Sequence, residues 1–225
     1  DYSLDVPVNQ GYVKSSVPRI DTDALGSGSV KTLTINPTSP AGYDFYNGIF
    51  ILNGTSNKLD IAALLSSNIV LGKKTAEPSV LIVHTHTSEA YTPTALDSYV
   101  TTANDRCGDI NYNVVRVGTE IAKVLESKGI GVIHLKDFYD TSYDGAYDRS
   151  LAAVQKCLDE NPSIKVVLDI HRDALNSADS PKYKLVTEIN GKTSAQLMLL
   201  VGGNRDGDNP GWQENLKLAV QVQDR

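Results

Sequence analysis

Two apolar runs in this 225-residue chain end on histidine, and each is followed by residues able to bind a metal or move a proton. The first reads VLIVHTHTSEAY and delivers His84, His86 and Glu89. The second reads VVLDIHRDA and delivers His171, with Arg172 and Asp173 behind it. Imidazole and carboxylate together suit Zn²⁺, and three protein ligands leave a fourth position for water. In His86-Thr87-Ser88-Glu89 one turn after a strand can present two ligands, and a distant strand then supplies the third. This HxxE…H layout is a catalytic-zinc arrangement of metallopeptidases built on α/β sheets, where the ion acidifies water and polarises an amide carbonyl. His84 and His86 point to the same side if the strand continues, so either can ligate. The spacing favours His86 and leaves His84 a supporting role. The remaining histidine, His134, lies inside GVIHL with no acidic or histidine neighbour in sequence, and reads as structural.

Other chemistry-bearing residues are less specific. Arg172 and Asp173 either orient substrate or a ligand, or form an ion pair that holds the loop. Glu214, in NPGWQENL, is a candidate general base, although the first turn of a helix favours a carboxylate in any case. Arg149, in AYDRS, reads as a solvated or salt-bridged helix residue, with a substrate contact as the alternative. The run VGGNRDGDNPG is rich in glycine but lacks dinucleotide or P-loop spacing. Ser88 has no GxSxG elbow around it, which argues against a serine hydrolase. Cys107 and Cys157 have no CxxC spacing, so they are not a metal-ligand pair. Buried or free thiols are the expected state, with a bridge between them as the alternative.

These residues need elements that bring distant segments together. VLIVH (80–84) is a short, unbroken apolar run of the kind found in a strand buried on both faces, and IKVVLDI (164–170) is another buried strand. GVIHL (131–135) is a further strand. VVRVGTEIAKVLESKG (114–129) has apolar positions at helical spacing and stops at Gly129. DGAYDRSLAAVQKCLDENP (144–162) is an amphipathic helix closed by Asn161-Pro162. YKLVTEI and SAQLMLLV flank Asn190-Gly191, a hairpin signal, and a last helix follows Pro210. Strand–helix alternation predicts an α/β sheet with helices on both faces, whose ligands gather beyond the carboxyl ends of the strands. Residues 1–77 form an irregular, β-rich lead-in. It holds a strand over 30–36, turns in PTSPAGYD and at Asn53-Gly54, and in LDIAALLSSNIVLG a short helical pattern mixed with a strand end. Residues 78–225 form the main domain.

Composition narrows the function classes. Hydrophobic residues at 40% and charged residues at 21% are those of an ordinary globular domain with a sizeable core. A net charge of −6 argues against nucleic acid as the main partner, because phosphate binding needs clustered cations. No apolar run is long enough to span a bilayer, and the first residues lack a signal-peptide pattern. Any membrane anchor would therefore lie outside this chain.

At these residues the chain resembles the stage II sporulation protein P family. The matching segments are VLIVHTHTSEAY, NVVRVGTEIAKVLESKGIGVIHLKD, YDGAYDRSL, NPSIKVVLDIHRDA and LLVGGN…NPGWQENLKLA, in order over most of residues 79–220. GIFILNGTSNKLDIAALL is similar to the family's lead-in. The resemblance implies a phosphorylase/hydrolase-like α/β fold similar to that of zinc-dependent N-acetylmuramoyl-L-alanine amidases. It further implies hydrolysis of the amide between N-acetylmuramic acid and L-alanine in peptidoglycan, with endopeptidase action on the stem peptide, during forespore engulfment. The implied place is extracytoplasmic, at the membrane–cell wall interface of a sporulating bacterium. The implied partners are the stage II sporulation proteins D and M, with the membrane reached through an upstream anchor. One departure stands out. The related amidases carry a catalytic Glu on a late strand in a Leu-Ile-Glu-x-Gly context, and nothing like it follows LMLLVGG. Either the chain is cut short at its C-terminus, which is the reading preferred, or Glu214 supplies the base.

Overall fold

The computed structural model of the protein describes residues 28–69, 77–91, 98–99, 106–173, 182–204 and 209–224. At its centre is a three-stranded parallel sheet in the order β6-β4-β7, formed by β4 (Pro78–Val83), β6 (Gly131–His134) and β7 (Val166–Asp169). Its middle strand is the VLIV run, and Leu81 and Ile82 are fully buried. Because side chains alternate along a strand, the two faces of β4 feed different clusters. Val80 and Ile82 pack with Ile121, Ala122 and Leu125 of α2 (Val114–Ser127). Leu81 packs with Val154, Cys157 and Leu158 of α3 (Ala146–Glu160). The expected mixed α/β layering, with a helix on each face, is therefore present. Cys107 and Cys157 are both free thiols.

The order of the strands matters for function. The chain runs from β4 through α2 to β6 on one side, then returns through α3 to β7 on the other. The carboxyl end of β4 thus lies at a topological switch point, where the flanking connections diverge and leave a crevice. The segments that end on His84 and His171 both open into this place.

Local signals account for the element ends. Asn113 caps α2 by accepting from the Val115 amide, and its own side-chain amide donates to the Cys107 carbonyl. The helix closes with Gly129 at φ 75°, as the Gly129 and Ile130 amides bond back to Glu126 and Leu125. Gly118, in the same helix, faces the sheet where no side chain fits. A Cβ there would come within 2.7 Å of His84 Nε2 and 2.8 Å of His134 Nε2. Glycine-to-alanine changes in helices ordinarily stabilise by up to about 1 kcal/mol, but overpacking costs about 1–3 kcal/mol. We expect Gly118→Ala to lower stability in chemical denaturation; a rise in the unfolding midpoint would contradict this packing.

A second sheet has the order β5-β1-β8-β9, from β1 (Gly28–Leu33), β5 (Ser98–Tyr99), β8 (Lys182–Ile189) and β9 (Lys192–Ala195). β8 and β9 form the hairpin expected at Asn190-Gly191, both of whose residues have positive φ. β1 pairs in parallel with β8, so elements on either side of residue 78 share this sheet. A third, two-stranded sheet joins β2 (Asp44–Tyr46) to β3 (Ile49–Ile51) through Asn47-Gly48, again with both φ positive. The helix α1 (Ile61–Ser66) packs on α4 (Trp212–Gln223), through Ile49, Ile61, Leu216 and Val220. One expectation needs correction. SAQLMLLV joins the sheet only as far as Ala195. The side chain of Gln196 then accepts from the Ile35 amide at 2.8 Å and donates to the Ile35 carbonyl at 2.9 Å. These bonds close the ladder, and Leu197–Leu200 leave it as exposed coil. The strand end expected near residue 70 lies outside the described residues.

Candidate metal and catalytic centre

β4 stops at Val83, and residues 85–88 fold into a tight buried turn that redirects the chain. The Thr87 hydroxyl lies 2.7 Å from the His84 carbonyl and 2.8 Å from the Asp137 carbonyl, and the Glu89 amide donates to the His86 carbonyl. This turn separates the two neighbouring histidines. His84 is fully buried beneath the turn, its Nδ1 3.0 Å from the Ile170 carbonyl and its Nε2 2.8 Å from His134 Nε2. A carbonyl only accepts, so His84 carries its proton on Nδ1, and the His134 Nε2–H donates to His84 Nε2. Both His84 nitrogens are thus engaged inside the fold, and half-buried His134 is its partner.

Neither imidazole of this pair tolerates a second proton. Burial holds both below the ordinary histidine range, His134 at about 4, with His84 adding to the effect. In the unfolded chain they titrate near 6.5. Stability should therefore be full above 6.5 and fall as pH drops, because the unfolded state takes up protons that the folded state refuses. The Glu89 and Asp169 carboxylates, held below their ordinary values, begin to cost stability only below about 4.5. Denaturation midpoints measured downward from neutral pH should consequently decline between 6.5 and 4.5. A flat profile across that window would contradict the imidazole pair.

His86 emerges on the other side of the turn. Its ring is 5.5 Å from that of His171, centroid to centroid, and its Nδ1 is buried without a hydrogen-bond partner. His171 sits between two carboxylates: Nδ1 is 3.4 Å from Glu89 Oε2 and Nε2 is 3.1 Å from Asp169 Oδ2. These contacts push its pKa up to about 10, Asp169 contributing most and Glu89 next. Burial alone would raise Glu89, yet the His171 contact and the Arg172 amide, at 3.1 Å, outweigh it and keep the carboxylate ionised. Asp169 is likewise held low, because bonds from His171 and from the Thr85 amide and hydroxyl overcome its partial burial.

Of the residues singled out from sequence, His86, Glu89 and His171 come together here. Arg172 and Asp173 follow directly, and the Arg172 amide touches Glu89. Arg149 instead fastens the β6–α3 connection, donating from its guanidinium to the carbonyls of Tyr139, Ser142 and Asp144. Glu214 lies on the exposed side of α4, where it pairs with Lys217. Three participants escaped sequence reading. Asp169 precedes His171 by two residues, the spacing that puts both side chains on one side of an extended segment, and this signal was available. Tyr143 and Tyr147 cover the His86 ring, the first stacked at 4.9 Å and the second edge-on at 5.4 Å. Nothing in their local sequence marks them.

The fit of this group to zinc can be judged from its donors. Among the described residues no three His, Cys, Asp or Glu side chains stand close enough to hold an ion as they are, and His171 is engaged by both carboxylates. The chemistry nevertheless matches. Two ligands on one tetrahedral zinc, with bonds near 2.0–2.1 Å, lie about 3.3 Å apart, close to the 3.4 Å between His171 Nδ1 and Glu89 Oε2. Asp169 on Nε2 is the carboxylate that zinc-binding histidines characteristically use on their far nitrogen. His86 adds a buried nitrogen with nothing yet to bind.

Comparison with known proteins identifies the family. A stage II sporulation protein P from Bacillus subtilis (strain 168) is 29% identical over 150 residues, which cover 64% of this chain and 34% of that protein. The chain thus spans only a minor part of that relative's length. No solved structure shows a significant match. The sequence model of the stage II sporulation protein P (SpoIIP) family matches residues 47–225, which include the central sheet, the histidine turn and α4, and the chain therefore belongs to that family.

Proposed function

We propose that this chain is a zinc-dependent peptidoglycan hydrolase that cleaves the amide between N-acetylmuramic acid and L-alanine, with stem-peptide bonds as further targets. The observation that carries this reading is the meeting of His86, Glu89 and His171 at the switch point of a parallel sheet. The sheet is then the core of a phosphorylase/hydrolase-like amidase fold. Zinc supplies Lewis acidity there, acidifying water and polarising the amide carbonyl. The chain's own residues do the rest. Asp169, itself fixed by Thr85, takes the Nε2 proton of His171 in a hydrogen bond and so leaves Nδ1 to face Glu89. The Arg172 amide keeps Glu89 charged and oriented. Tyr143 and Tyr147 shield the His86 ring from bulk water.

The same reading assigns the work to forespore engulfment, outside the cytoplasm at the membrane–wall interface, with stage II sporulation proteins D and M as partners. The chain then reaches the membrane through an upstream anchor; among the described residues no helix is long and apolar enough to cross a membrane. The exposed position of Glu214 favours a second reading, a catalytically weak wall-binding or scaffold module of the engulfment complex. Elemental analysis and turnover separate the two. We expect about one zinc per chain, and Glu214→Gln should leave muropeptide turnover within about twofold, since a true general base contributes about 10²–10⁴-fold. Zinc below about a tenth of stoichiometric after loading would sink the metal centre. Loss of turnover in Glu214→Gln would make that residue the base.

A further inference from the structure

Two large aromatic side chains stand in solvent directly beside the candidate centre. Tyr143, in the β6–α3 connection, is 68% exposed, and Tyr147, in the first turn of α3, is 63% exposed. The Tyr143 ring lies within 7° of parallel to His86 and the Tyr147 ring at 85° to it, so the tyrosines form a corner close to a right angle. The corner is held rigidly. Arg149 binds three carbonyls of the connection, and the buried Asp140 carboxylate accepts from the Ser88 amide and hydroxyl and from Arg106 at 2.5 Å. The Arg106 guanidinium also lies over the Tyr143 ring, 5.6 Å from its centroid. A surface loop fixed by two arginines, yet presenting bare aromatic area, is organised in advance for a ligand.

We propose that Tyr147, with Tyr143 as the adjoining wall, is the stacking surface for a pyranose ring, the sugar that bears the scissile amide. This rests on the amidase reading above. In that substrate only a short side chain separates the amide from the sugar, so a surface recognising the ring must lie within a few ångströms of the reacting atoms. The tyrosine corner meets that condition, with both rings in contact with His86. A pyranose offers a face of C–H groups that packs on an aromatic plane while its hydroxyls stay in water. Amphipathic tyrosine suits such a half-wet contact, and its hydroxyl remains free for a polar edge.

The test uses a linear tetramer of N-acetylglucosamine, which carries neither amide-linked peptide nor cleavable stem, titrated calorimetrically into the full chain with and without zinc. The unaltered chain should bind it, Tyr147→Phe should bind within about twofold, and Tyr147→Ala should bind about tenfold more weakly. Thermal unfolding of Tyr147→Ala shows separately whether the fold is kept. The proposal is overturned if the tetramer does not bind, if Tyr147→Ala binds as tightly as the unaltered chain, or if Tyr147→Phe loses as much as Tyr147→Ala. Failure of the amidase reading would show separately, as missing zinc or uncleaved muropeptides, because this binding needs neither.

Discussion

His86→Ala should abolish zinc retention while leaving the fold close to its original stability, and His84→Ala should do nearly the reverse. The two residues are separated by Thr85 alone, yet they face different surroundings. His86 ends in a buried nitrogen with no partner, next to His171. His84 fills the space against Gly118 and holds both the Ile170 carbonyl and His134. Truncating a fully buried side chain of this size costs about 2–5 kcal/mol through lost contacts and the cavity left behind. The His134 Nε2–H would also lose its acceptor. Zinc affinity in His84→Ala should fall by about 10–100-fold, as for other supporting residues around metal ligands. Competition with a zinc indicator and chemical denaturation, run on both variants, measure the two effects. If His84→Ala loses zinc outright and His86→Ala retains it, the ligand assignment is reversed.

Asp169→Asn should weaken zinc binding by about 10–100-fold and change how that binding depends on pH. In the metal-free chain His171 is held protonated up to about 10 by Asp169 and Glu89. That ion pairing stabilises the fold fully below 6.5 and is lost as pH rises through about 10. A metal at Nδ1 must displace this proton, so near neutral pH zinc affinity should rise with pH, by about tenfold per unit for one proton released. Asparagine keeps the shape of Asp169 but removes the larger of the two charges that raise His171. The pKa of His171 should then fall, and less than one proton should be released per zinc at neutral pH. Calorimetric zinc titrations in buffers of different ionisation enthalpy give the proton count. An unchanged count would mean that Asp169 does not govern His171.

Much of the central sheet could be read in advance because each strand is short, apolar and bounded. VLIVH has no polar position before its histidine and proved to be the buried middle strand, whereas IKVVLDI, also read as buried, is the parallel edge strand β7, where Val167 stays 42% exposed. Asn190-Gly191 identified its hairpin through chemistry local to two residues. The ligand candidates could be proposed for a related reason: His86, Glu89 and His171 follow closely on the carboxyl ends of such strands, where a parallel sheet gathers its ligands. What stayed hidden depends on distance in the chain. The spacing of Asp169 from His171 was legible, but its anchoring by Thr85, 84 positions away, was not, and the parallel pairing of β1 with β8 has no local signature. Nor did the LMLLV run reveal that the Gln196 side chain would take over the Ile35 backbone groups and end the ladder before it. Tyr143 and Tyr147 look like ordinary turn and helix residues until the β6–α3 connection brings them onto His86.

If the His86–Glu89–His171 group hydrolyses the sugar–peptide amide, the bonds broken in muropeptides will report it. Zinc-loaded protein should be incubated with purified muropeptides and the products resolved by mass spectrometry, with the His86→Ala variant in parallel. The account predicts peptide-free sugars together with intact stem peptides carrying a free L-alanine amino terminus, and neither product from His86→Ala. Muropeptides left whole by the zinc-loaded protein, cut within the glycan strand, or cleaved equally well by His86→Ala would contradict it.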